Sequence, residues 1–320
     1  MNLTWVIGAA GVISLAVVHS YNFIQGERIF SDLIDEFKLR HCSLFDLDRM
    51  WAENPARSQV IVSLTTIPSR IALIGETLKS LMRQSRAPAG IVLNVPRWSR
   101  RERCNYEIPG DLARLDSVKV TECDDWGPAT KLIPTILNNA PSQPIVVVDD
   151  DRIYPSNLIA DLEDASRLCP GSALCFSGWR VPDDLTDRPT TLWSDLKLTP
   201  PVPVKATRVD TLHEVDILQG QGGYYVLPEF FDANELTDYS QAPEAAFFVD
   251  DVWISAHCRT HKYVIPAKRC SYPIKRNSAF YKSTSVALIN RGTGVPETRN
   301  NTILIRHMKD RWLCSTKGKP

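Results

Sequence analysis

Between Gln59 and Ser156 the chain repeats one pattern, a short run of branched apolar residues followed by a stretch with helical spacing. "QVIVSLTTIP" (59–68) reads as a buried strand. "RIALIGETLKSLMRQS" (70–85) then places Ile71, Ile74, Leu78, Leu81 and Met82 on one helical face. "GIVLNVP" (90–96) and "SVKVTEC" (117–123) are two further strands, and "ATKLIPTILNN" (129–139) is a helix that Pro134 delays or bends. "PIVVV" (144–148) is the next strand, and Pro155-Ser156 opens another helix. The order strand, helix, strand, strand, helix, strand, helix predicts a mixed, mostly parallel sheet flanked by helices. Ligands of such sheets lie beyond the carboxyl ends of the strands.

At one of those ends stands "DDD", Asp149, Asp150 and Asp151. Two carboxylates about 4 Å apart near a protein surface repel by roughly 4 kcal/mol. Three beside a buried strand need an offsetting charge. A hard divalent cation supplies one, since carboxylate oxygens suit Mg²⁺ or Mn²⁺, and Mg²⁺ is held by one or two carboxylates plus substrate phosphates. A helix cap also uses an aspartate, but needs only one.

The 320 residues are 43% hydrophobic, enough for one large or two modest domains with a core. Lys plus Arg and Asp plus Glu balance at 37 each, which argues against nucleic acid as a partner. Residues 3–18 carry no charge, so residues 1–24 are expected to form a transmembrane anchor, with a signal peptide as the alternative. A single-pass membrane protein is the expected localisation, on the cytoplasmic face in a bacterium or in the Golgi/ER lumen if eukaryotic. Arg28, Lys38 and Arg40 after the span favour the cytoplasmic side, whereas eight cysteines suit an oxidising lumen. No CxxC pair supports a disulfide framework or a zinc site. Residues 25–58 read as a stem, and the globular domain as 59–315.

An α/β beginning followed by "VVVDDD" resembles the DxD motif of nucleotide-sugar-dependent glycosyltransferases of the GT-A fold, over roughly residues 59–310. The resemblance implies a Rossmann-like nucleotide half and an acceptor half. In that fold the loop after the first strand receives the nucleotide, which makes Thr65, Pro68 and Arg70 of "SLTTIPSR" candidate base or ribose contacts. "DDWGPATKL" (124–132) puts Lys131 at a helix N-terminus, which favours anions, and so marks it as a diphosphate contact. Asp149 and Asp150 join the donor site, and Asp149 with Asp151 the metal site. Because the motif is DDD, the pairs 149/151 and 150/151 both remain open.

Downstream, "DILQGQGGYYVLP" (216–228) packs three glycines before an aromatic strand. The resemblance places this turn between donor and acceptor, with Gly222, Gly223 and Tyr224 as acceptor residues; Trp179, Trp193 and Tyr225 are further aromatics that suit sugar faces or the core. "FFVDDVWISAHC" (247–258) supplies the acidic pair of the fold, whose second member, Asp251, is the catalytic base of an inverting enzyme, with Asp250 beside it. "NTILIRHMKDRW" (301–312) reads as a strand ending at His307, the candidate third metal ligand. His257 and His261 stand four apart on a helix without the HExxH glutamate and read as surface. The stretch 179–214 is proline-rich and poorly periodic, as expected of an insertion or acceptor loop.

These parts imply a Mn²⁺- or Mg²⁺-dependent transferase moving a sugar from a nucleoside diphosphate-sugar to a hydroxyl of a glycan or glycoconjugate. A nucleotidyltransferase is the alternative, although "TTIPSR" lacks the glycine- and lysine-rich loop it needs. A non-catalytic, membrane-anchored glycan-binding protein is a second one.

Overall fold

The computed structural model describes residues 3–274 and 294–312, without the side chains of residues 3–10; Cys314 and the expected domain end at 315 lie outside the described residues. The central sheet starts with β1 (Ile61–Thr65), flanked by β2 (Gly90–Pro96) and then β3 (Val118–Cys123), all parallel. β4 (Ile145–Val147) joins the other side of β1, also parallel, pairing Val62 with Val146 and Ser63 with Val147. The strand order therefore turns back at β1, which opens a crevice between the carboxyl ends of β1 and β4. Val62, Leu64, Ile145, Val146 and Val147 are fully buried, as expected of parallel strands covered on both faces.

A short β5 (Arg152–Ile153) follows, then β6 (Ala173–Cys175), β7 (Ser177–Trp179), β8 (Val204–Lys205), β9 (His213–Glu214), β10 (Ile217–Leu218), β11 (Tyr224–Val226), β12 (Lys262–Val264) and β13 (Tyr272–Pro273). The large sheet runs β3-β2-β1-β4-β11-β6-β12-β9, with β11 antiparallel to both neighbours. β10, β7 and β8 form a small antiparallel sheet, and β13 pairs with β5. The segment expected as an insertion is thus tied down at two places in its last third. β8 pairs with β7, and β9 pairs with β12.

The N-terminal helices correct two expectations. α1 (Leu3–Gln25) is a helix, yet among the described residues no helix is long and apolar enough to cross a membrane. The expected anchor and the membrane localisation that rested on it are overturned. The physical reason is at its C-terminal end, which is polar (His19, Ser20, Asn22, Gln25) and is fastened to the domain. Asn22 Oδ1 accepts from the Ile29 amide at 3.0 Å, and the Arg208 guanidinium lies 4.7 Å from the Phe23 ring.

Nor do α2 (Ile29–His41) and α3 (Leu44–Glu53) hang free as a stem. α2 turns its acids inward. Asp32 and Asp35 accept from Arg269 at 2.6 and 2.9 Å, and Phe30, Leu33, Ile34 and Phe37 face outward. α3 buries Leu47 and Trp51; Trp51 Nε1 donates to the Pro88 carbonyl at 3.0 Å, and Asp48 accepts the Asp116 and Ser117 amides.

α4 (Gly75–Met82) follows a 3₁₀ turn at Ile71–Leu73, and the five apolar residues of its expected face are all buried. α5 (Ile133–Leu137) starts late behind Pro134, after a 3₁₀ turn at Gly127–Lys131. α6 (Leu158–Leu168) covers the sheet, and α7 (Leu192–Lys197) and α8 (Ala233–Thr237) are short. α9 (Asp250–His257) begins at the acidic pair. His257 ends that helix buried beside Trp253, and His261 lies beyond it. The strand expected at 301–307 is instead a helix, Asn300–His307. Its Thr302, Leu304 and Ile305 pack inward, so tertiary burial overrides the β-preference of the run.

If α3 belongs to the core, Trp51→Ala should lower the unfolding free energy by about 3–5 kcal/mol in urea titration. A loss below about 1 kcal/mol would mark residues 44–53 as a detachable stem.

Candidate functional site

The crevice between β1 and β4 brings together what the two strands carry at their ends. Thr66, just past β1, donates its hydroxyl to Asp150 Oδ2 at 2.6 Å. Arg70 Nη1 lies 3.4 Å from Asp150 Oδ1 and 3.8 Å from Asp151 Oδ2. The turn itself is held from behind: Thr77 Oγ1 reaches the carbonyls of Asp150 and Arg152, each at 2.8 Å. Tyr154, fully buried, accepts the Asp149 amide at 2.8 Å and donates to the Gly220 carbonyl at 2.9 Å. Its hydroxyl thereby couples the aspartate turn to the glycine-rich turn.

The second acidic group arrives on α9. Val252, Trp253 and Ile254 bury this helix, with Trp253 Nε1 donating to the Leu236 carbonyl at 2.9 Å. Asp250 and Asp251 occupy the first turn, where the helix dipole favours negative charge. Between the two acidic groups stands Lys131, only 4% exposed. Its Nζ donates to Asp149 Oδ1 at 2.7 Å and to Asp251 Oδ1 at 3.3 Å. Asp250 Oδ2 is 2.5 Å away as an ion pair, although not aligned as a hydrogen bond. The Gly220 amide also donates to Asp251 Oδ1, at 3.2 Å.

Burial and mutual repulsion set the protonation of this cluster. Burial pushes Asp251 up to about 7, with Lys131 pulling it down and Asp250 and Asp149 pushing it further up. Burial likewise raises Asp150 to about 6 against the pull of Arg70, and raises Asp151. For Lys131 burial favours the neutral amine, yet Asp149, Asp250 and Asp251 together outweigh it and hold the ammonium charged well above its usual range.

A cleft of about 290 Å³ opens over these groups. Its walls carry six carboxylates (Asp125, 149, 150, 151, 250, 251) against three cations, Arg70, Arg101 and Lys131. Among the described residues no three ligating side chains already converge on a metal position, because the Lys131 ammonium stands at the centre instead. The donor set is nonetheless suited to a hard cation: Asp149 and Asp151 flank one turn, and side chains of both reach solvent.

Of the sequence candidates, Thr65, Arg70, Lys131, Asp149, Asp150, Asp151, Asp250 and Asp251 line this cleft. Pro68 is not among its walls. His307 is exposed at the end of its helix and does not line the cleft either. Tyr224 is fully buried behind it, close enough to Lys131 and Asp251 to feel their charge. Gly223 makes a tight turn at φ +81°, and Gly222 backs onto Ser177. The glycine that meets the acids is Gly220, where an added Cβ would collide with Lys131 Nζ and Asp149.

Arg101, Tyr106, Ser99 and Asp125 also line the cleft, although nothing in the sequence pattern singles them out. They lie on segments without periodicity. Tyr106 is fixed by donating to the Thr66 carbonyl at 3.0 Å, and Asp125 by accepting the Arg100 amide at 2.7 Å. Of the expected aromatics, Trp179 and Tyr225 are buried and Trp193 is exposed on α7.

No family model matches the sequence, and no curated protein matches it. Solved structures do resemble it. Residues 1–349 of S. aureus TarS in complex with UDP share 14% identity at a TM-score of 0.44, covering 73% of this chain and 65% of that one. The chain thus spans just under two thirds of that structure. The mannosyltransferase PcManGT from Pyrobaculum calidifontis, in complex with GDP-Man and Mn²⁺, shares 13% at 0.43, covering 86% and 80%. The 2-C-methyl-D-erythritol 4-phosphate cytidylyltransferase of Francisella tularensis shares 14% at 0.40, covering 72% and 97%.

The raised Asp251 gives a test. An acid with a folded pKa of about 7 and an ordinary value of 3.8 binds more protons folded than unfolded between those limits. Its ionisation therefore costs stability as pH rises from about 4 to about 7. Asp251→Asn, a neutral mimic of the protonated acid, should match the wild type near pH 4 and exceed it by roughly 1–4 kcal/mol at pH 8. Paired denaturant titrations at the two pH values check this. An equal gap at both would refute the raised pKa.

Proposed function

We propose that the protein is a metal-dependent glycosyltransferase that moves a sugar from a nucleoside diphosphate-sugar to a hydroxyl of a glycan or other acceptor. The observation that carries this reading is the convergence of two carboxylate groups from separate elements. Asp149–Asp151 stand at the switch point of the sheet, and Asp250 and Asp251 face them across Lys131. A donor needs the first group and an acceptor hydroxyl needs the second.

In this reading the nucleotide lies along Thr65, Thr66 and Arg70, where the cleft is bounded by Tyr106. Asp149 and Asp151 would hold Mn²⁺ or Mg²⁺, whose chemistry is to stabilise negative charge on the departing diphosphate. Asp251 takes the proton of the acceptor hydroxyl as that oxygen attacks the anomeric carbon, and the diphosphate leaves from the opposite face with inversion. A carboxylate with a pKa of about 7 is well matched to that role at neutral pH. Asp250 and Lys131 keep it aimed.

The reading is tested by calorimetry on the full chain with UDP and GDP, with and without Mn²⁺. Binding of one nucleotide should require the metal, and Asp151→Ala should weaken it at least tenfold, a loss of about 1.4 kcal/mol. With the matching sugar donor, Asp251→Asn should reduce transfer by about 10²–10⁴-fold while leaving nucleotide affinity intact. Failure of folded protein to bind either nucleotide would remove the UDP- and GDP-sugar forms of the proposal. Release of pyrophosphate from a nucleoside triphosphate would replace it with nucleotidyl transfer.

A further inference from the structure

We propose that Lys131 is the resident cation of the site: a positioning residue that clamps the donor-side acid Asp149 to the acidic pair Asp250/Asp251, and not a contact to the donor diphosphate. The catalytic part of this inference rests on the transferase reading above.

Three independent features support it. The ammonium is already committed, with three carboxylates within 3.3 Å and almost no exposure to the cleft. A phosphate would have to displace one of them. The backbone of Lys131 is also fixed from beneath by a polar network buried in the sheet. Ser63 on β1 donates to the Lys131 carbonyl at 2.5 Å, while Asn94 on β2 donates to Ser63 at 3.1 Å and to Thr135 at 3.0 Å. Ser63 and Asn94 are wholly buried in largely apolar strands. Polar groups are costly there unless bonded, and the bond that reaches the lysine turn is the one from Ser63, whose hydroxyl Asn94 holds in turn. Finally, two glycines leave room for the clamp. At Gly127 (φ +62°) a side chain would strike the Phe247 carbonyl, just ahead of α9, and at Gly220 it would strike the ammonium itself. The Gly220 turn is therefore closed down onto the lysine, and the Gly127 turn onto the segment just ahead of α9.

The geometry ties the distance between donor acid and base to one side chain. Removing it leaves three carboxylates clustered without their shared cation. The consequence is separable from loss of a donor contact, because a donor contact lowers nucleotide affinity and a positioning residue lowers turnover.

The first measurement needs neither donor nor acceptor. Thermal melting in chelator should show Lys131→Met several degrees below the wild type. Adding Asp250→Asn to it should recover part of the loss, since one unpaired carboxylate has been removed. A double variant as unstable as the sum of the single ones overturns the clamp. The second measurement uses the nucleotide and sugar donor identified above. Lys131→Met should retain nucleotide affinity within about twofold and lose about 100-fold in kcat, the scale of a misplaced reacting group. A tenfold loss of nucleotide affinity with kcat preserved makes Lys131 a donor contact and overturns the inference, as does no change in either. Should Lys131→Met fail to fold, Gly220→Ala keeps every charge while forcing the ammonium and Asp149 apart, and the same kcat loss is expected. If the wild type binds no nucleotide, the transferase reading fails, and the melting comparison still decides the clamp.

Discussion

One ammonium group holds the candidate site together. Lys131 lies where three carboxylates from two distant parts of the chain would otherwise repel, and each of its contacts crosses between elements. Buried ion pairs often gain little over an apolar alternative, because both partners lose their hydration. Here the alternative is not an apolar core but acids crowded at the mouth of a cleft. The lysine is therefore better understood as a condition for gathering them than as a source of stability.

The sheet explains why the acids are gathered in that place. Strands extend from β1 in both directions, and at the reversal the carboxyl ends of β1 and β4 open a crevice. Thr66 and Arg70 from one end reach Asp150 and Asp151 at the other. β11 then enters antiparallel beside β4, and the turn before it brings Gly220 to the back of the cluster. α9 approaches from the far half, its first turn packed against the same glycine through the Asp251 carboxylate. Tyr154 closes the circuit by bonding both the aspartate turn and the glycine turn.

Much of the first half of the sheet is legible in the residues themselves. Apolar runs such as "VIVSL" and "PIVVV" have few ways to be satisfied other than as buried parallel strands, and the period of Ile71, Ile74, Leu78 and Leu81 admits one helical face. The acids are legible for the same reason, since charge directly after a buried strand marks an end and not an interior. His307 stands outside this logic. "TILI" satisfies a strand and a helix equally, and its burial against neighbouring elements decides for the helix. The apolar N-terminus misleads because composition does not report where a helix is fastened. Phe23 of its C-terminal end meets Arg208, and Asn22 bonds the start of α2, whose Asp32 pairs with Arg269.

By itself the sequence determined the class of the fold, the strand that ends in three aspartates and the helix that starts with two. Those follow from local periodicity and from the cost of placing charge beside apolar surface. Only the tertiary structure decided that the two acidic groups share one cation, that Gly220 and not its neighbours touches them, and that Arg101 and Tyr106 wall the cleft. Each of those depends on residues far apart in the chain meeting at distances set by sheet order and close packing, which no local pattern encodes.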